Sequence, residues 1–435
     1  MPRIYAFFRS PDGTPDRSHD GSGAPVHLLA EVGKLANKNP DGSVSWPGGT
    51  INRLEVPIRS KVGIFAPEGG ELNQDDTWRI FWTAIVGIAK SNPGKAVLPS
   101  RLFQEVNKAA AQFFRQPFAS YSLVSSLSVK SLPSTRIRIG STTITQLKTR
   151  ATRYPIPDFA LRRFPHLQAP AVASKYLLVK VSTRGRSIFE AAESALDSLN
   201  LLRAIWSLFF TYGSWSMSFG ISPRKPLGVI HTGVLHTLHP HSGGSIPEEV
   251  CWYDPDSSDD RPLFDPGDKW PLIESRRKWV LSCLSRITYA DDVKGLLVRY
   301  ILALDHSDPQ VAFLRMWSIL ERITDTVGAG YDQTIDRALW AYVKESRGIA
   351  KDMLDSLRIV RNRYVHSGAG DQQPDQVAYL VKSFVDPHLI RLLANPFGAN
   401  SIKEHASCFS FPVELAALKR KRAAIPRAIA FVTKK

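Results

Sequence analysis

The spacing of apolar residues differs between the first and second halves of the chain. In the first half, residues 135–144 alternate arginine and isoleucine on the way to Gly140, which sets Arg136 and Arg138 on one face. Residues 51–58 and 176–181 show a similar alternation. A period of two residues predicts half-buried strands, and Gly140 predicts a turn between two of them.

Two stretches of the same half have the helical period instead. Residues 99–116 place Phe103, Val106 and Ala110 on one face. Ser187 and Glu190 form a Ser-x-x-Glu capping box, which predicts the start of a helix that extends to about residue 210. The first half is therefore predicted to be an α+β fold.

After residue 271 the helical period continues without strand-like runs. It predicts helices over residues 275–289, 290–304, 309–326, 333–346, 349–365 and 374–393. The connections between them are short, which favours antiparallel neighbours in a bundle. The predicted fold class is an α+β N-terminal half followed by an all-α C-terminal helical bundle.

An acidic segment rich in proline, residues 245–271, separates these halves. It contains eight carboxylates against Arg261 and Lys269, and five prolines interrupt a regular backbone. We therefore predict a linker or surface loop there. The predicted domains are residues 1–244, the helical domain 272–395 and a basic tail 396–435.

Positive charge is concentrated in the first half. The chain of 435 residues has a net charge of +16, and residues 107–189 alone hold fourteen basic residues and one acid, a net of +13. A solvated basic face is one interpretation, and contact with RNA is the other, because such a stretch repels itself unless a polyanion is near. The candidate RNA-binding residues are Arg136, Arg138, Lys148, Arg150, Arg162 and Arg163.

Several classes of protein do not fit the sequence. No apolar run approaches the ~20 residues of a membrane helix, and charges come early in the N-terminal stretch, so we expect a cytoplasmic protein without a membrane partner. Three scattered cysteines form no metal or disulfide pattern. A group of histidines, His231, His236, His239 and His241, lacks neighbouring Cys, Asp or Glu ligands, so we predict structural histidines, no metal site and no cofactor.

One motif near the end of the fifth predicted helix contains side chains suited to catalysis. Arg361 and His366 are five positions apart, which corresponds to about 140° around an ideal helix. They therefore converge only if the helix end unwinds or if a second copy supplies the partner group. Arginine can clamp phosphate oxygens, and imidazoles transfer protons near neutral pH. The alternatives are a C-terminal helix cap for His366 and an ion pair of Arg361 with Asp355 or Asp352.

The motif Arg361-Asn362-x-x-x-His366 resembles the signature of HEPN-domain ribonucleases. Residues 313–321, Phe-Leu-Arg-Met-Trp-Ser-Ile-Leu-Glu, are similar to the Apea-like branch associated with abortive infection against phage. The resemblance covers roughly residues 278–393. It implies that Arg361 and His366 are catalytic, that Asn362 orients groups near them, and that Glu321 belongs to the same site.

The resemblance also implies an activity and partners. We expect a metal-independent endoribonuclease of a bacterial anti-phage or toxin system that cleaves RNA, including tRNA as one candidate, by 2′-hydroxyl attack. A homodimer through the helical domain would combine two motifs in one cleft, with Trp340 and Tyr364 as interface candidates, and a phage-derived trigger is a further candidate partner. The alternative is a non-catalytic nucleic-acid-binding or phage-sensing protein whose helical domain only dimerises.

Overall fold

The structure is a computed structural model of the chain. It describes residues 5–9, 15–16, 24–67, 69–150, 153–163, 175–213, 227–246, 250–254, 261–342, 344–367 and 374–433. The chain divides into two compact units. The first comprises Met1–Leu123, Ser182–Ala195 and Leu238–Gly243, and the second comprises Val124–Val181, Leu196–Thr237 and Gly244–Lys435.

The first unit contains a small antiparallel sheet beside helices. Its strands are β1 (Ala6–Arg9), β2 (Pro15–Asp16), the paired β3 (Asn37–Lys38) and β4 (Val44–Ser45), and β5 (Val62–Ile64); the sheet has the order β2-β1-β5. The helices are α1 (Val26–Lys34), α2 (Thr50–Arg59), α3 (Gln74–Ser91) and α4 (Pro99–Phe114). Phe8 packs on Phe81 and Phe103 in a core of aromatic and aliphatic side chains.

A six-stranded sheet follows along the chain, and most of its residues belong to the second unit. Its strands are β6 (Ala119–Leu127), β7 (Arg136–Ile139), β8 (Thr142–Gln146), β9 (Leu177–Gly185), β10 (Leu235–Pro240) and β11 (Cys251–Tyr253), in the order β11-β10-β6-β9-β8-β7. Two helices lie between these strands in sequence, α5 (Asp158–Arg163) and α6 (Ile188–Phe210). The hairpin β7–β8 turns at Gly140, whose φ of +57° is a conformation that glycine adopts without strain.

Helix α6 begins as its capping box predicts. The hydroxyl of Ser187 accepts a hydrogen bond from the backbone N–H of Glu190 at 2.9 Å. The carboxylate of Glu190 accepts one from the backbone N–H of Arg186 at 2.6 Å. The first of these bonds satisfies a backbone donor that the first turn of a helix leaves unpaired, and the second holds the residue that precedes the cap.

The C-terminal part is largely helical. Its helices are α7 (Trp270–Leu284), α8 (Ala290–Asp305), α9 (Pro309–Ile323), α10 (Tyr331–Leu339), α11 (Lys344–Ser367), α12 (Pro374–Ala394), α13 (Ile402–Cys408) and α14 (Leu415–Thr433). Helix α9 packs between α8 and α12, and its predicted apolar face, including Phe313, Met316 and Trp317, is buried. The predicted fold class, α+β followed by a helical bundle, is confirmed.

One buried ion pair lies inside this bundle. The ammonium of Lys382 is 2.5 Å from the carboxylate of Asp386, and the hydroxyl of Tyr300 donates to the same carboxylate at 2.8 Å. All three side chains are almost completely buried. Burial raises the pKa of Tyr300 well above its usual value, so its hydroxyl stays protonated and serves as a donor.

Two local predictions need correction. Residues 51–58 form the helix α2, because Ile51, Leu54 and Ile58 are also spaced as i, i+3 and i+7 and are the members that face inward. Within the acidic segment 245–271, Cys251–Tyr253 is a strand that pairs with β10, so that part is not a loop. Among the described residues, no helix is long and apolar enough to cross a membrane.

Candidate active site and nucleic-acid interface

Helix α11 carries the Arg-Asn-x-x-x-His motif. The helix is continuous over Lys344–Ser367, so it does not unwind between Arg361 and His366. Its inner face is the stripe of Leu354, Leu357 and Tyr364, all buried. Of the two routes by which Arg361 and His366 could converge, only a contribution from a second copy is compatible with this continuous helix.

Arg361 lies on the inner side of α11, between Leu357 and Tyr364 in the buried stripe. Its side chain is half-buried, and its guanidinium lies 4.7 Å from the centre of the Tyr331 ring. The expected alternative, an ion pair with Asp355, is absent from the described part of the chain, where Asp355 instead binds Lys351 and Arg358. Arg361 thus keeps its positive charge over an aromatic face and has no carboxylate among the described residues to neutralise it.

Glu321 is connected to this arginine through aromatic side chains. The carboxylate of Glu321 accepts a hydrogen bond from the indole N–H of Trp317 at 2.8 Å. The Trp317 ring meets the Tyr331 ring edge-on, with 6.3 Å between the ring centres. Tyr331 in turn lies under Arg361, so Glu321 and Arg361 flank one aromatic cluster without an ion pair between them.

Asn362 and His366 occupy a different side of α11. They are four residues apart and therefore lie one turn above each other. His366 is exposed in the last turn, where a positive imidazole also interacts favourably with the helix dipole. The carboxamide oxygen of Asn362 is buried and has no hydrogen-bond partner among the described residues. The structure therefore brings Asn362 and His366 to one side and Arg361 and Glu321 to another.

Trp340 and Tyr364, the predicted interface residues, both contact other parts of the same protomer. The indole N–H of Trp340 donates to the Phe411 carbonyl at 2.8 Å, and its ring packs on Phe397 and Phe409. Tyr364 is buried against Phe313. Both aromatic side chains contact other residues of the protomer; Tyr364 is buried, whereas Trp340 remains partly exposed. Exposed apolar residues on α11 are instead Ile349, Met353, Ile359 and Val365.

Arg136 and Arg138 form an exposed basic pair on β7. Along this strand both arginines are exposed and the alternating Ile137 and Ile139 are buried, as the period of two predicted. Strand β7 is at the end of the strand order, so its outer edge is not paired with another described strand. Both arginine side chains are therefore exposed on a strand at the edge of the sheet.

The other four candidate RNA-binding residues have different surroundings. Arg162 and Arg163 are exposed at the end of the short helix α5. Lys148 and Arg150 follow strand β8 and line a cavity of about 520 Å³ in the second unit. Lys148 is exposed, whereas Arg150 is half-buried.

His231 and His236 of this group make side-chain hydrogen bonds to neighbouring polar side chains. Nδ1 of His231 is 3.1 Å from the carboxylate of Asp305, which also binds the buried Arg203 at 2.6 Å. Burial alone would raise the pKa of Asp305, but Arg203 and His231 outweigh it and hold that pKa below its usual value. Nδ1 of His236 is 2.8 Å from the Ser125 hydroxyl. Within the described ranges, no group of three or more His, Cys, Asp or Glu side chains could hold a metal ion.

Sequence reasoning missed three residues of these sites. Tyr331 was not predicted as a neighbour of Arg361, because the two are 30 positions apart and only folding brings them together. Lys130 and Lys175 were recognised only as part of the basic stretch, although both line the cavity with Lys148 and Arg150. Their common signal was the lack of acids between residues 107 and 189.

Comparison with known proteins yields no relative. No family model matches the chain, and no curated protein or solved structure matches it either. The interpretation of the site therefore depends on the residues of α9, α10 and α11 and on their geometry.

Proposed function

We propose that the protein is a metal-independent endoribonuclease whose active site combines Arg361 and His366 of two copies. The observation that carries this proposal is the state of Arg361, a half-buried cation over Tyr331 without a described carboxylate partner. A cation held in this way is available to an anion from solution, and a phosphodiester is an anion that a histidine from the second copy could cleave.

The chemistry requires only groups that the chain contains. The 2′-hydroxyl of the RNA attacks the neighbouring phosphorus, and the imidazole of one His366 takes its proton. The bond from phosphorus to the 5′ oxygen breaks, and a protonated imidazole, supplied by His366 of the partner subunit, returns a proton to that oxygen. Arg361 stabilises the additional negative charge on the phosphorane oxygens. The products are a 2′,3′-cyclic phosphate and a 5′-hydroxyl.

The roles of Asn362 and Glu321 follow from their surroundings. The buried, unpaired carboxamide oxygen of Asn362 lies one turn before His366 and can accept a hydrogen bond from an imidazole N–H when the site is assembled. Glu321 holds Trp317, which packs on Tyr331 beneath Arg361. We therefore assign Asn362 and Glu321 as positioning residues.

The first prediction tests this assignment directly. Purified protein incubated with total RNA or with tRNA in EDTA should cleave it, and His366→Ala or Arg361→Ala should each reduce the rate by about 10²–10⁴-fold. Both variants should keep the melting temperature of the parent protein, because His366 is exposed and Arg361 makes no described ion pair. The measurement is the initial cleavage rate, with end-group analysis of the products.

A matched control is available on the same helix. Arg363→Ala removes an equal charge from an exposed position of α11 that has no role in the proposed site, so it should cleave RNA at the parental rate. Inhibition by EDTA that magnesium reverses would contradict the metal-free mechanism. RNA binding without cleavage, equal in parent and His366→Ala proteins, would favour the alternative of a non-catalytic nucleic-acid-binding protein.

A further inference from the structure

The cavity of about 520 Å³ in the second unit has an unusual balance of charge. Four cationic side chains line it, and the described residues that line it include no carboxylate. The cationic residues are Lys130, Lys148, Arg150 and Lys175. They come from three separate segments, namely the region after β6, the region after β8 and the residues before β9. The fold therefore gathers like charges at one place, which costs free energy unless an anion binds there.

Arg150 is the most constrained of these cations. Its guanidinium donates to the carbonyl of Tyr154 at 3.0 Å and to the hydroxyl of Thr237. Both acceptors are neutral, and the described part of the chain offers this guanidinium no ion pair. Burial lowers the pKa of Arg150 to about 10, so the group is still charged at neutral pH.

The thiol of Cys251 interacts electrostatically with Arg150 but does not neutralise it. Burial raises the pKa of the Cys251 thiol despite the nearby guanidinium, so Cys251 is uncharged at neutral pH. Buried charges in proteins are normally paired, because an isolated charge loses its hydration without compensation. The Nε and Nη2 groups of Arg150 each donate to a neutral acceptor. The remaining N–H groups of the guanidinium can donate to an anion.

The three lysines contribute charge nearer to solvent. Lys148 and Lys175 are exposed and have no ion-pair partner among the described residues. Lys130 is paired with Asp265 at 2.9 Å, although both side chains remain largely exposed. A bound anion thus meets one partly buried guanidinium and at least two unpaired ammonium groups, a combination that matches a doubly charged phosphate better than a single carboxylate.

The remaining walls are mostly apolar. Val124, Val129, Leu177 and Leu178 from strands β6 and β9 and the region after β6 line the cavity, together with Ser125 and Ser126. Small-molecule sites commonly have volumes of about 300–1,000 Å³ and combine apolar walls with a few polar groups. The cavity, at about 520 Å³, lies within that range.

We propose that this cavity binds a small phosphorylated molecule of mononucleotide size, with its phosphate on Arg150, Lys148 and Lys175 and its apolar part against the sheet. The site is separate from α11, and it contains none of the residues assigned to RNA cleavage. Lys148 and Arg150, which the sequence predicted as RNA contacts, are here assigned to a small ligand instead.

The test measures binding to the full chain by isothermal titration calorimetry. The probes are AMP, GMP, CMP and UMP, with adenosine and inorganic phosphate as separate arms. At least one mononucleotide should bind, and its affinity should exceed that of inorganic phosphate, whereas adenosine should not bind. Lys148→Met and Arg150→Met should each reduce the affinity about tenfold or more, which is the effect of removing one charge-assisted hydrogen bond.

The variants separate binding from folding and from RNA contact. Lys148 is exposed, so Lys148→Met should fold even if Arg150→Met does not. Arg136→Met removes a charge from an exposed strand position outside the cavity lining, and its mononucleotide affinity should equal that of the parent. The proposal is overturned if no mononucleotide and no inorganic phosphate bind, if Lys148→Met binds like the parent, or if only single-stranded RNA binds and the Lys148→Met variant loses that binding.

Discussion

At the scale of single residues, the helical part contains two buried histidines that are held uncharged. His388 is fully buried and donates from Nε2 to the Ala338 carbonyl at 3.0 Å. His405 is also fully buried, and its ring packs on Phe397 and Phe409. Burial, assisted by the charge of Arg391, lowers the pKa of each imidazole to about 4.

The second prediction is a loss of stability in acid. In the unfolded chain a histidine binds its proton at pH 6.5, whereas His388 and His405 in the folded chain bind theirs only near pH 4. Between these values the unfolded state holds more protons, so the free energy of unfolding falls as the pH falls. The decrease is up to about 1.4 kcal/mol per pH unit for each histidine. Urea unfolding at a series of pH values from 7 to 4 measures it.

A single variant isolates this effect from the titration of carboxylates. Neither ring nitrogen of His405 has a hydrogen-bond partner among the described residues, so its imidazole acts as an apolar filler. His405→Leu should therefore keep the stability of the parent at pH 7 and show a smaller decrease between pH 6.5 and 4. Parallel pH curves for parent and variant would contradict the lowered pKa of His405.

At the scale of elements, local sequence patterns predicted where helices begin better than they predicted which elements pack against each other. The capping box at Ser187 determined the start of α6, because both members of the motif lie within one turn of the backbone they satisfy. The eight residues 51–58 within α2 were assigned to a strand because their apolar positions fit both periods. Only the packing of Ile58 and Leu54 into the first unit decides between them.

The candidate site shows the same division between local and long-range information. The sequence predicted the angle between Arg361 and His366, since that angle depends only on helix geometry. The contact of Arg361 with Tyr331 and the convergence of Lys130, Lys148, Arg150 and Lys175 could not be predicted. Both depend on which elements pack together, and apolar periodicity identifies a buried face without identifying what covers it.

The third prediction concerns the exposed strand β7. Replacing Arg136 and Arg138 together by glutamate should weaken RNA binding, because both side chains are exposed on an edge strand. The plot of log affinity against log salt has a negative slope. The magnitude of this slope should fall by about 0.7–0.9 for each RNA phosphate that the variant no longer neutralises. Fluorescence anisotropy with a labelled single-stranded RNA, measured across several salt concentrations, gives both quantities.

The substitutions at Arg136 and Arg138 leave the buried side chains of β7 unchanged. Ile137 and Ile139 remain in place, so the double variant should melt at the parental temperature. Arg53 and Arg101, which are exposed residues of α2 and α4, provide a matched double charge reversal elsewhere. An unchanged affinity and slope in the β7 variant would identify that face as solvated surface only.

At the scale of the whole molecule, the compact units do not follow the order of the chain. Residues 124–181, which carry most of the basic excess, belong to the same unit as the helical bundle. Residues 196–237 belong to this unit as well, and Arg203 of α6 is one physical reason, since it binds the Ile230 carbonyl and the Asp305 carboxylate at the end of α8. The bond to Asp305 joins segments about 100 residues apart, and composition along the sequence carries no record of it.

The last prediction concerns assembly. Because α11 is continuous, Arg361 and His366 point about 140° apart, and one protomer presents a single His366 for two proton transfers. Two copies paired along the outer side of α11, which exposes both Ile359 and His366, would place two His366 imidazoles in one cleft. Cleavage per protomer should then fall on dilution below the dimer dissociation constant. Ile359→Glu should raise the dimer dissociation constant without changing the melting temperature of the protomer. Ile349→Glu, at a similarly exposed position earlier in α11, should change the dissociation constant less. Sedimentation velocity and cleavage measured at matched concentrations test this, and full activity from a species that sediments as a monomer would exclude the two-copy site.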